Sequence, residues 1–339
     1  MVNIVVIMNK IKPLKLGVKE FPSNIFYAPL AGCSDFPFRM MSAKFGKPGL
    51  HFCEMVKMDA LIRNDIGTFH ILDYAASMHP IGAQLCGSKP EIAGQAARMI
   101  EELGFDSLDL NCGCPVDKVT KDGSGSGLLR EPYRVGDIVA NMVAAVKIPI
   151  TVKIRAGWDE DHLVFKDLVR IVELAGATAI TLHARTREQG YIGNAKWPWI
   201  SECVQAATKI PVIGNGDIFS PSDALKMMEE TGCHGVLVAR GTMGQPWIAD
   251  DIRKLDAGIS ITEKTLADRR EMLLEHLHWT KIYQNDRKAL VDMRRVGCWY
   301  FPKAKGTRQF RDAIAHAASL ADVEVLIKTF PFGEELGNA

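Results

Sequence analysis

Eight short apolar or β-branched runs recur along this chain, and helix-length segments separate most of them. The runs fall at 24–28, 50–53, 81–85, 107–110, 150–154, 179–182, 212–214 and 235–239. Amphipathic helices are predicted over 90–103 ("PEIAGQAARMIEEL"), 132–146, 163–175 and 222–231. Several of these end in a glycine that leads straight into the next apolar run: Leu103-Gly104-Phe105, Ala175-Gly176-Ala177, Thr231-Gly232-Cys233. Glycine there is the ordinary helix stop, because it adopts the left-handed conformation without strain. Strict β-α alternation implies a parallel sheet, and eight such units imply an α/β fold closed into a (β/α)8 cylinder, the TIM barrel. An open doubly wound sheet would be expected to carry G-x-G-x-x-G after its first strand, and "APLAGCSDFPF" does not. The alternation stops near residue 261, so the reading is a barrel over 1–257 followed by a smaller helical domain over 258–339.

A barrel brings the C-terminal ends of its strands to one mouth, where such folds build their sites. Near those ends stand Pro29, Glu54, Gln84, Asn111, Lys153, His183, Asn215 and Arg240. Any strand meets a polar residue where it leaves the core, so a single position means little. Lys153 is harder to dismiss: within "ITVKIRAG" it lies in an apolar strand, and an unpaired buried ammonium is costly. The last two units, "VIGNGDIFSPSDA" and "GVLVARGTMGQPWI", open into glycines and then helix starts. Backbone N–H groups gathered there suit a phosphate, at the position where barrels commonly hold one.

Composition narrows the remaining classes. Lys and Arg total 41 against 40 acids, so overall charge does not identify an anionic partner. No apolar run approaches the ~20 residues of a membrane span. The start, "VNIVVIMNK", lacks a basic leader and a small-residue cleavage site, which leads to the expectation of a cytoplasmic protein. The eight cysteines follow no disulfide framework and mostly sit in apolar runs. Two of them, Cys112 and Cys114, lie one residue apart in "LDLNCGCPVDKV". Zinc would need four ligands from paired sets. This pair has no second half, since Cys86 and His183 belong to other strand ends without ligand-like spacing. No metal site is expected.

The motifs taken together resemble the tRNA-dihydrouridine synthases, flavin-dependent enzymes that reduce uridines in tRNA. The resemblance rests on "APLAGCSDFPFR" (28–39), "IGAQLCGS" (81–88), "LNCGCP" (110–115), "VKIRAGW" (152–158), "LHARTREQGY" (182–191), "IGNGDI" (213–218) and "VARGTMGQPWI" (238–248), in family order. A weaker match, "MRRVGCWYFP" (293–302), resembles the bacterial branch. The resemblance implies FMN in the barrel mouth, held by Pro29, Leu30, Ala31, Gln84, Lys153, His183, Asn215, Gly216, Asp217, Ala239 and Arg240. Many family members have glycine where this chain has Ala239. NADPH or NADH is implied as the electron donor.

That chemistry delivers a hydride to uracil C6 and a proton to C5. The resemblance makes Cys114 the proton donor, since a thiol is ordinarily protonated at neutral pH and close to the working range of a general acid. Pro115 and the glycine-rich "KDGSGSGLL" would shape and close its loop. Asn111 is expected to donate to the uracil or its ribose, and Cys112 to be a buried filler. For tRNA, residues 281–311 hold nine basic residues against two acids, with Tyr283, Trp299, Tyr300, Phe301 and Phe310 interleaved. Such a run is commonly a solvated helix face, and aromatics at helical spacing are commonly core. Beside a barrel of this resemblance it is read as a phosphate track, with Arg294 and Arg295 in it and Arg155, Arg185 and Arg187 extending it to the mouth. Two rivals stand beside this reading. One is a flavin reductase of a free pyrimidine or other enone, which would not need the basic helices. The other is a non-enzymatic RNA-binding protein, which would not need Cys114, Lys153 and His183.

Overall fold

The computed structural model describes residues 9–302 and 304–333; the runs 1–8 and 334–339 and Lys303 lie outside the described residues. A hairpin comes first, β1 (Leu14–Leu16) with β2 (Lys19–Phe21). Eight parallel strands follow: β3 (Ile25–Tyr27), β4 (Leu50–Lys57), β5 (Ile81–Cys86), β6 (Ser107–Cys112), β7 (Ile150–Arg155), β8 (Ala179–His183), β9 (Val212–Asn215) and β10 (Gly235–Val238). Each pairs with the next and β10 closes on β3, giving the TIM barrel expected from the alternation.

Side chains alternate across each strand. In β6 the outward Leu108, Leu110 and Cys112 join the large core against the surrounding helices, while Ser107, Asp109 and Asn111 occupy the other face. In β7, Ile150, Val152 and Ile154 point out, leaving Thr151, Lys153 and Arg155 within. The period of two thus accounts for a lysine inside an apolar strand: it lies on the polar face of β7. Phe26, Ala28, Leu50, Phe52, Ala179, Ile213 and Leu237 fill another part of the interior together with Leu16 and Phe21 of the hairpin. A Cβ on Gly17, in the hairpin turn, would come to 3.0 Å of Thr178, the residue before β8. The hairpin therefore closes the N-terminal end of the barrel, and the opposite end carries the opening.

The predicted helices appear at Pro90–Glu102, Pro132–Ala145, Phe165–Leu174 and Pro221–Thr231. Gly104, Gly176 and Gly232 take positive φ after three of them, as the stop signal requires. After helix Ile248–Asp256 come Leu266–Tyr283, Asp286–Val296, Thr307–Ala315 and Leu320–Thr329. Capping boxes begin the first and last of these four, Thr265 with Asp268 and Ser319 with Asp322, each worth about 1 kcal/mol. These helices share a second apolar cluster that includes Leu273, Met293, Tyr300, Phe301, Phe310 and Ile327, with Trp247 from the barrel side. Tyr283 stacks on Phe36 with ring centres 4.2 Å apart.

Packing decides one open reading here and moves one strand boundary. Tyr300, Phe301 and Phe310 are buried in this cluster, so these aromatics are core and present no stacking surface to RNA. Strand β4 continues four residues beyond the expected end, to Lys57, with an irregular register between Phe52 and Met55.

Candidate active site

At the open end of the barrel lies a cavity of about 360 Å³, a volume suited to a small organic ligand. Pro29, Leu30 and Ala31 line it after β3, as do Gln84, Asn111, Lys153 and His183 from β5 to β8. Asn215, Gly216 and Asp217, then Ala239 and Arg240, line it after β9 and β10, and Cys114 enters from the loop after β6. Met55, Tyr191 and Phe219 also line it and were not singled out from the sequence. Met55 was hidden by the underestimated length of β4. Tyr191 was visible as the last residue of "LHARTREQGY".

Lys153 sits between Asn111 and Thr181 in the strand register. Among the described residues its ammonium has no hydrogen-bond or ion-pair partner. Burial, with Arg155 adding like charge, lowers its pKa to about 8, while Asp109 pulls the other way. Burial also holds His183 well below the usual imidazole range, helped by Lys153, Arg155, Arg185 and Arg240. His183 is therefore a neutral ring at physiological pH, offering hydrogen bonds and no charge. It too has no hydrogen-bond partner among the described residues. A half-buried lysine and a buried histidine, both with unpartnered side chains and lining one cavity, make a donor set for a polar ligand.

The Cys114 loop is held from several sides. Asn111 Oδ1 accepts from the backbone N–H of Gly113 at 3.1 Å and of Cys114 at 2.9 Å. The Cys114 carbonyl accepts from Ser126 N–H at 3.0 Å, and the Arg155 Nε–H donates to the Gly113 carbonyl at 2.9 Å. Gly125 has φ +60, and a Cβ there would come to 2.9 Å of the Cys114 carbonyl oxygen. Gly125→Ala is accordingly expected to destabilise the protein by about 1–2 kcal/mol through the left-handed backbone alone. A thermal melt against wild type measures this, and an unchanged melting temperature would contradict it. Cys112, by contrast, is fully buried, and burial raises its pKa well above the usual thiol range.

Several residues read as RNA contacts have other employment. Asn111 spends its carboxamide internally: besides the two loop N–H groups, its Nδ2 donates to Gln84 Oε1 at 2.8 Å and to the Met55 sulfur at 3.6 Å. Arg155 is buried, with Nη1 donating to the carbonyls of Thr186 at 2.7 Å and Gly190 at 3.0 Å. Arg185 is buried as well, donating to the Ile192 carbonyl at 2.9 Å and to Asp217 at 2.6 Å. The guanidinium fork satisfies several carbonyls at once, which is how a buried arginine avoids an uncompensated charge. Both arginines staple the loop after β8 and are almost wholly buried, Arg155 at the cavity wall. Arg187 is part-exposed at the rim and paired with Asp117 at 2.7 Å. Arg294 gives both Nε and Nη2 to the Ala317 carbonyl, at 3.2 and 2.6 Å. Arg295 pairs with Asp292 at 3.2 Å, and a Cβ on Gly32 would stand 3.0 Å from its Nη1. It therefore overhangs the loop after β3. Asp217 uses its carboxylate on Arg185, on Arg240 and on Ala195 N–H, and its backbone takes φ +55. Ala239 has φ −107, outside the region that calls for glycine.

Fold and site together define a TIM-barrel protein whose open end combines a partly exposed thiol with an unpartnered lysine and a neutral histidine. A family profile described as dihydrouridine synthase (Dus) matches residues 26–331. The chain belongs to the dihydrouridine synthase family. It is 35% identical to a probable tRNA-dihydrouridine synthase of Treponema pallidum (strain Nichols), over 93% of this chain and 95% of that one. It is 33% identical to tRNA-dihydrouridine synthase B of Xanthomonas axonopodis pv. citri (strain 306), over 93% and 94%. Among solved structures it is similar to histamine dehydrogenase from Rhizobium sp. 4-9, with TM-score 0.58 and 14% identity, covering 88% of this chain and 54% of that one. That last likeness is one of fold alone.

Proposed function

We propose that this protein reduces uridines in tRNA to 5,6-dihydrouridine, with FMN as its resident cofactor. Family membership supports the reaction. The observation that carries it to residues is Cys114 in one cavity with Lys153 and His183. The cavity fits FMN on two counts. Lys153 and His183 are unpartnered donors in need of an acceptor, and the residues after β9 and β10 offer backbone to an anion. Gly216 (φ +125) and Asp217 (φ +55) turn sharply there, and a short helical turn, Arg240–Thr242, opens at Ala239, leaving its first N–H groups without intrahelical partners.

When bound, FMN reduced by NADPH or NADH supplies the hydride that uracil C6 receives. Lys153, His183, Gln84, Asn215 and the backbone of Pro29 to Ala31, Gly216, Asp217, Ala239 and Arg240 would hold it. Cys114 gives its thiol proton to C5. Arg155, through the Gly113 carbonyl, keeps that loop over the cavity. Arg187 and Arg295, at the rim, exchange Asp117 and Asp292 for phosphates of the tRNA, and the helical domain over 258–339 provides the rest of the RNA surface, with no obligate protein partner. No helix among the described residues is long and apolar enough to cross a membrane, and we place the reaction in the cytoplasm with its substrate.

The direct test is flavin absorbance of the purified protein, release of FMN rather than FAD, and dihydrouridine formed in unmodified tRNA with NADPH. Colourless protein that does not take up FMN, or flavin-loaded protein that leaves tRNA unreduced, overturns the reading. A pH prediction follows from Lys153. Its ammonium is present below about 8 and is lost as pH rises through that value. Binding of FMN to the flavin-free protein is therefore expected to weaken above pH about 8 in wild type. Lys153→Met should bind more weakly at neutral pH and lack the inflection. Flavin fluorescence titrations between pH 6 and 9 decide this, and parallel curves for the two proteins would contradict it.

A further inference from the structure

Below the cavity, three strands carry a buried polar chain that the proposed chemistry does not use directly. Gln84, Asp109 and Thr151 are register neighbours on β5, β6 and β7. Asp109 accepts from Gln84 Nε2 at 2.7 Å through one oxygen and from Thr151 Oγ1 at 2.6 Å through the other. Gln84 Oε1 in turn accepts from Asn111 Nδ2 at 2.8 Å. Asn111 Oδ1 ends the chain on the N–H groups of Gly113 and Cys114. All three side chains, Gln84, Asp109 and Asn111, are buried.

A chain of this kind has a direction. Backbone N–H groups only donate, so the Asn111 oxygen must face the Cys114 loop and its NH2 must face Gln84. Gln84 must then turn its oxygen to Asn111 and its NH2 to residue 109. Residue 109 has to accept, and in a buried site a donor left facing a donor costs its full desolvation. The geometry points to Asp109 as a positioning residue: it supplies the acceptor that the direction of the Gln84–Asn111 amide chain requires, and so holds the loop that presents Cys114. This deepens the function proposed above, because the importance of Cys114 rests on that reading. The loop geometry itself does not depend on it.

The test uses isosteric exchanges. Asn111→Asp keeps the acceptor for the two loop N–H groups but puts an oxygen against Gln84. If Gln84 turns over to meet it, its own oxygen then meets the Asp109 carboxylate. Adding Asp109→Asn relieves this: Gln84 runs reversed, receives a hydrogen bond from the Asn at 109, and donates to the Asp at 111. Asp109→Asn alone keeps the original direction, with its oxygen toward Gln84 and its NH2 toward the Thr151 hydroxyl. The readout is the rate at which iodoacetamide alkylates Cys114 in the flavin-loaded protein, followed by peptide mass spectrometry. Cys33, a partly exposed thiol on the same cavity, serves as internal reference. Rates are compared at pH 8.5, above the value of about 6 to which burial raises the Asp109 carboxyl.

Asn111→Asp is expected to raise the Cys114 rate relative to Cys33 by about tenfold, the scale of one unsatisfied buried polar contact. Asp109→Asn is expected to stay within about threefold of wild type, and the double variant to return to that range. A double variant as reactive as Asn111→Asp overturns the proposal, as does an Asn111→Asp protein indistinguishable from wild type. Dihydrouridine formation is measured on the same four proteins. If wild type makes none, the proposed function fails while the alkylation pattern still decides the role of Asp109.

Discussion

Cys114→Ala is expected to retain FMN and accept electrons from NADPH at the wild-type rate, yet form dihydrouridine about 10²–10⁴ times more slowly, the usual loss for one general acid. The expectation follows from how the loop is built. The hydrogen bonds that fix it use the backbone of Gly113 and Cys114, through Asn111, Ser126 and Arg155. The thiol can therefore be removed without removing its support. Hydride arriving at C6 would then leave charge at C5 with no donor in place. Cys112→Ala is the control. That side chain is fully buried among apolar neighbours, so its loss acts on stability and leaves turnover per folded molecule unchanged. Dihydrouridine formed per minute by the two single variants, normalised to bound flavin, separates them. Equal losses in both would remove the acid role from Cys114.

The barrel could be read from the chain because its signals are local. Alternation in "SLDLNC" and "ITVKIR" places polar residues on one face whatever surrounds them, and glycine after a helix stops it through its own backbone. Strand ends are different. Asn111 and Cys112 look like the start of a loop, but each has a register partner on β7, Lys153 and Ile154. A ladder continues as far as its neighbour does, and the neighbour lies about forty residues away in the chain. The hairpin Leu14–Phe21 escaped for a related reason: three-residue strands carry too few alternations to register as a pattern. In the site, the residue types were apparent but the burial was not. Arg155 and Arg185 read as phosphate contacts because charge suggests solvent. They are buried because the loop after β8 turns its carbonyls of Thr186, Gly190 and Ile192 onto them. Asn111 was assigned to the substrate because nothing in a linear sequence shows that Gln84 and Asp109 stand beside it. The interleaved aromatics of the last helices had two ordinary uses, and packing decided for the core.

The same distinction between free and committed charge picks out a basic set for RNA. Within 281–311, Lys288 and Arg295 share Asp292, Lys281 pairs with Glu324, and Arg294 and Arg311 donate to main-chain carbonyls. Arg287, Lys305 and Arg308 are exposed and have no acidic partner among the described residues. A cation already paired must give up its partner to take a phosphate, whereas these three give up only water and counter-ions. Changing all three to glutamine is therefore expected to weaken tRNA binding by about 10- to 100-fold near physiological salt. The slope of log K against log salt should fall by roughly one for each phosphate left without its cation. Flavin content and melting temperature should hold, since none of the three supports the second apolar cluster. Arg294→Gln makes the contrast: losing its two bonds to the Ala317 carbonyl should lower stability by about 1–3 kcal/mol and leave the salt slope unchanged. Filter binding of one tRNA between 50 and 300 mM salt, with thermal melts of each variant, supplies both readouts. A triple variant that binds with wild-type affinity and slope would mean that the tRNA lies across another face of the protein.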